Sequence, residues 1–158
     1  DQLTGVFRRA PAQALARLHM LAAADMVDDP DELGRPRAGA DVAARLDLLG
    51  QLISGATTVP GPVLAAVVHG ELLTLDAFPT ANGIIARAAS RLVCTSTGLD
   101  PHNLGVPEVT WLKRIKDYRA FAQGFAAGTP EGLGNWILLT CEALEAGAAE
   151  AKSIADAV

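Results

Sequence analysis

Neither cysteine of this 158-residue chain has a partner at a spacing that redox or metal chemistry would use. Cys94 and Cys141 stand alone, with no C-x-x-C, so the expectation is two reduced thiols and no disulfide framework. The three histidines, His19, His69 and His102, offer no H-x-x-H or H-x-x-x-H pair, which leaves a metal site without support. No apolar run reaches the length of a membrane span, and no secretory signal pattern is present; a cytoplasmic protein with no membrane partner is expected. Positive charge is also short. The net charge of -5 argues against nucleic-acid binding, though not against a small anion site. Aromatic residues are few, and arginine outnumbers lysine ten to three. No segment alternates with period two, so no strand is expected.

What remains is helix. Half of the residues are apolar and a fifth are charged, a composition for one folded domain spanning residues 1–158. The chain starts at Asp1 without Met, so it is expected to lack N-terminal residues of a longer chain. Alanine- and leucine-rich stretches alternate with Gly/Pro punctuation. Pro11 opens the first helix, and Leu15, Leu18, Ala22 and Met26 keep its apolar spacing. Residues 28–39 carry dense charge, two prolines and two glycines, and read as irregular loop rather than a calcium site. Asp41 is the expected cap of a second helix through Ile53. Two central helices follow, Pro62 to Leu75 and Gly83 to about Gly98, both mostly apolar.

Pro107 opens a longer helix, with Trp111, Ile115, Tyr118, Ala122 and Phe125 as one apolar stripe. Lys113, Arg114, Lys116 and Arg119 form its solvated face. Thr129-Pro130-Glu131 caps the last helix. The expectation is an all-α bundle of about six helices.

The two central helices are joined by D-A-F-P-T-A-N-G-I-I-A-R, Asp76 to Arg87. A helix starting at Gly83 offers unpaired main-chain N–H groups and the positive end of its dipole, and Arg87 lies one turn along. Those are the parts of an anion site. The bland alternative is that Asn82 simply caps its own helix and Arg87 pairs with a carboxylate elsewhere. His69, two turns before Asp76, is expected to be a hydrogen-bonded structural histidine.

The stretch resembles, without a gap, the signature loop of Fic-domain proteins, H-x-F-x-[D/E]-G-N-G-R-x-x-R, which joins two central helices of an all-α fold. His69 lies where family members often carry a histidine in the preceding helix. G-R-P-R, 34–37, falls where the family places its target-positioning flap, and G-L-D-P (98–101) and V-P-E-V (106–109) resemble its connector. Intact members transfer a nucleoside monophosphate, usually AMP, to a protein hydroxyl. By this resemblance Asp76 replaces the histidine base, Thr80 the metal-holding acid, Ala81 a glycine and Ile84 the first arginine. Phe78, Asn82, Gly83 and Arg87 are retained.

A carboxylate is a much weaker base than imidazole, and a neutral hydroxyl is a poor Mg²⁺ ligand. The resemblance therefore implies a degenerate Fic-like domain with no catalytic residues for AMP transfer, binding phosphate or a nucleotide at Asn82, Gly83 and Arg87, or binding a protein partner. The family's inhibitory S/T-x-x-x-E-G/N helix has no counterpart in this sequence. Two other readings stand beside this one. One is an enzyme of altered chemistry acting on phosphate esters or nucleotides, with Asp76 as base. The other is a purely structural helical domain that forms homo-oligomers.

Overall fold

The computed structural model describes residues 2–56 and 58–157. Among these the chain is all-α. It comprises α1 (Gln2–Arg9), α2 (Pro11–Ala23), α3 (Ala40–Ile53), α4 (Gly61–Leu75), α5 (Asn82–Ser96), α6 (Pro107–Lys113), α7 (Ile115–Ala126) and α8 (Pro130–Asp156), with a short 3₁₀ turn at Pro30–Glu32. That is two α-helices more than the sequence pattern predicts. Residues 2–9 form a helix whose apolar face, Leu3, Val6 and Phe7, spans only two turns, too short a repeat to stand out in the sequence. The helix expected from Pro107 breaks at Arg114, whose backbone leaves the helical region (φ -108°, ψ 37°). The break also interrupts the expected stripe. Trp111, Tyr118 and Ala122 are buried, whereas Ile115 lies exposed.

Prolines open α2, α4, α6 and α8 at the first turn, where their missing N–H costs nothing. Thr129 caps α8 as expected, its Oγ1 accepting the Gly132 N–H at 3.1 Å. Asp41 is not a cap: Gly39 holds that position, and Asp41 lies in the first turn of α3, where its charge favours the helix dipole. Asp29 caps the 3₁₀ turn through the Asp31 N–H, so the acidic run is partly ordered.

Helix α4 is the axis of the fold. It packs against α3, α5, α7 and α8 and buries Ala65, Ala66, Val68, His69, Gly70 and Leu72 around its circumference. Such an all-round apolar surface belongs inside a bundle. Two hydrophobic clusters lie on its sides. One gathers Phe7, Leu15, Leu49, Leu72, Phe78, Ile85 and Val93 from α1–α5 and the loop after α4. The other gathers Ala66, Trp111, Tyr118, Trp136 and Leu139 from α4 and α6–α8. Trp136 is fully buried, and its Nε1–H donates to Ala66 O at 2.8 Å, locking α8 to α4. Helix α5 is more one-sided. Its inner face lies on α4, α1 and α2, while Ile84 is exposed.

Candidate functional site

The loop 76–81 turns the chain from α4 back along α5. Two residues make the reversal in the left-handed region: Asp76 after the last turn of α4 (φ 51°, ψ 46°) and Ala81 before the first turn of α5 (φ 61°, ψ 11°). A non-glycine residue in that region is strained by about 1–2 kcal/mol, so the loop must be held from outside.

Asn82 is the clamp. Its Oδ1 accepts the Phe78 N–H at 2.9 Å, and its Nδ2 donates to Phe78 O at 2.8 Å and to Asp76 Oδ1 at 2.6 Å. This corrects the expectation that Asn82 caps its own helix. It is the first helical residue, no side chain caps α5, and the Asn82 amide faces back into the loop. Phe78 is buried beneath the clamp and stacks on His19, with ring centres 4.7 Å apart and planes at 18°.

The G-R-P-R segment crosses this loop as a strap. The Gly34 N–H donates to His19 Nδ1 at 2.8 Å, and the Arg37 N–H donates to Ala77 O at 2.7 Å. The Arg37 guanidinium reaches Asp76 Oδ2 at 2.8 Å. Both Asp76 oxygens are therefore engaged, one by Arg37 and one by Asn82. Burial pushes the His19 imidazole below its ordinary range, against the pull of Glu32. The neutral ring that results is the form that can accept the Gly34 N–H at Nδ1.

At the start of α5 the main-chain N–H groups of Thr80, Ala81, Asn82 and Gly83 find no acceptor among the described residues. Arg87 lies over this end: its Nη1 stands 3.3 Å from the point a Gly83 Cβ would occupy. It makes no ion pair among the described residues, because Glu108, the nearby carboxylate, is held by Arg91 at 2.7 and 2.8 Å. Asn82, Gly83 and Arg87 lie near one another at the start of α5, with the Arg87 guanidinium also hydrogen-bonded to the Tyr118 hydroxyl.

Behind Arg87 lies a buried polar pair. His69 Nε2 and the Tyr118 hydroxyl are 2.8 Å apart, and His69 is boxed edge-on by Trp111 and Trp136, with ring centres at 4.5 and 5.0 Å. Burial, aided by the Arg87 charge, drives the His69 imidazole down to about 3, so the ring is neutral. Burial pushes the Tyr118 hydroxyl upward, and a hydrogen bond from Arg87, with its charge, pulls it the other way. His69 Nδ1 and Trp111 Nε1 have no partner among the described residues. His69 is therefore the structural histidine the spacing predicts, and it faces Tyr118 rather than Asp76.

Two participants were not legible as such. The sequence puts Arg37 in a flap-like segment and gives no sign that it pairs with Asp76. The apolar stripe marks Tyr118 as core, although a single Tyr in such a stripe is a polar handle seeking a partner. No protein-family model matches the chain, and no curated protein or solved structure is detectably similar to it.

Proposed function

We propose that the chain is a degenerate Fic-like domain that binds a small anion, phosphate or the phosphate of a nucleotide, at the N-terminus of α5, without AMP transfer. The gapless resemblance of Asp76–Arg87 to the Fic signature motivates the family assignment. The position of Arg87 carries the ligand. A guanidinium that makes no ion pair among the described residues, hydrogen-bonded to the Tyr118 hydroxyl, stands beside the first-turn main-chain N–H groups of α5, a combination that supports anion binding through charge-assisted hydrogen bonds and the helix dipole. The negative charge of Asp76 opposes such binding less than its proximity suggests, because Arg37 pairs with one of its oxygens and Asn82 donates to the other.

The same engagement speaks against the altered-enzyme reading. A carboxylate whose two oxygens are taken up by Arg37 and Asn82 has to break one of those bonds before it can accept a substrate proton.

Titration calorimetry with phosphate, AMP and ATP, on wild type and Arg87→Ala, tests the proposal. Saturable heat that falls at least tenfold in affinity in the variant supports it. No heat in wild type removes the anion and leaves the structural reading. Transfer of label from ATP to protein, lost in Asp76→Asn, would establish the enzyme reading instead.

A further inference from the structure

At the other end of the α4–α5 hairpin, a hollow of about 520 Å³ opens between the end of α5, the connector 99–105 and the C-terminal half of α8. It falls within the roughly 300–1,000 Å³ of small-molecule sites. Its residues are far from the loop at Asp76, and nothing in the anion-site reading uses them.

The polar groups in the wall of the hollow satisfy one another. Asp100 accepts the Leu104 and Gly105 N–H groups at 2.9 and 2.8 Å, and its own N–H donates to Cys94 O at 3.0 Å. Arg91 braces the connector through Asn103 Oδ1 at 2.9 Å while Glu108 holds its other nitrogens. The braced connector presents Leu99 and Leu104 beside the hollow, 46% and 64% exposed. Leucines left open on a rigid wall, rather than collapsed into the core, form a surface that gains by being covered. Cys94, 4% exposed, lies at depth, and Cys141 stands in the α8 wall.

The charges at the rim select the occupant. Arg91 is consumed by Glu108 and Asn103, and Lys152 pairs with Asp156. Glu145 makes no ion pair among the described residues. An anionic head group would meet no free cation here, and burying it unpaired is costly. A neutral or cationic one would meet carbon walls and a free carboxylate. We infer that this hollow is a binding site for a small, largely hydrocarbon molecule that carries no negative charge.

The test titrates the protein with neutral N-phenyl-1-naphthylamine and with the anionic dye 1-anilinonaphthalene-8-sulfonate, reading fluorescence. Saturable 1:1 binding of the neutral dye, at least tenfold tighter than the anionic one, is expected. Ala148→Trp, which fills the hollow from an exposed helix position, weakens the neutral dye at least tenfold. Ala149→Trp, one residue on and outside the hollow, leaves it unchanged. In wild type, saturating neutral dye slows alkylation of Cys141 by N-ethylmaleimide at least fivefold, a readout independent of whether the tryptophan variant folds. Absence of saturable binding, equal affinity for both dyes, an unaffected Ala148→Trp or unprotected Cys141 would each overturn the inference. None of these outcomes depends on the anion site, which Arg87→Ala probes separately.

Discussion

Acid should loosen this fold chiefly through His69. Its imidazole is buried and neutral, held near 3 by burial and by the Arg87 charge, whereas in the unfolded chain it titrates near about 6.5. The unfolded state therefore binds more protons between those two values, and stability rises with pH across that window. The contribution is complete above about 6.5 and is lost progressively as pH falls toward 3. Between pH 8 and pH 5 the unfolded chain gains about 1.5 pH units of protonation free energy that the folded chain forgoes, or about 2 kcal/mol. With a urea m-value of about 2 kcal/mol/M for a domain of this size, the midpoint falls by about 1 M.

His19 is shifted in the same direction and adds to the total. The informative quantity is thus the stability difference between wild type and His69→Gln, measured by urea unfolding at both pH values. The constant cost of losing the ring cancels. The variant should be about 2 kcal/mol less disadvantaged at pH 5 than at pH 8. A difference that does not change with pH would refute the argument, because it would mean that His69 ionises as easily in the folded chain as in the unfolded one.

Other expectations follow from the same geometry. Asn82→Ala strips the loop of three hydrogen bonds and should cost about 1–3 kcal/mol in urea unfolding, while weakening any phosphate binding with Arg87 intact. Ala81→Gly relieves a left-handed alanine, and the gain, offset by the extra freedom of the unfolded chain, should be up to about 1 kcal/mol in thermal or urea unfolding. Gly132→Ala would drive a methyl into the Gly124 carbonyl where α7 and α8 cross, and should cost about 1–3 kcal/mol or more, read as a lowered thermal midpoint.

The all-α class, the Thr129 cap and the central position of α4 could be read from the chain because each rests on local signals: proline at first turns, Thr129 before Pro130, an apolar surface all round. The extra helices could not. α1 has an apolar face at Leu3, Val6 and Phe7 but only two turns to show it, and the sequence around Arg114 keeps helical spacing straight through the break. At the loop, the residue set Asn82, Gly83 and Arg87 was visible, but the work of Asn82 was not. An Asn before Gly at a helix start reads as a cap, and only the reversed backbone at Asp76 and Ala81 shows that its amide has carbonyl and N–H groups of the loop to hold. The Arg37–Asp76 pair spans two helices in sequence and left no periodic trace.

The strap has a consequence for α3. Arg37 fastens the chain just before that helix to the loop after α4, and α3 itself buries only Leu49 and Ile53. Its main polar tie is the Arg45–Glu71 fork to α4, with bonds of 2.7 and 2.8 Å. A helix tethered at its entrance and lightly seated along its length can swing off as a unit while the strap stays down. Amide exchange should therefore sort the chain into a fast door, α3, hung on a slow frame of α4, α5 and α8, with residues 34–37 behaving as frame despite having no helix of their own.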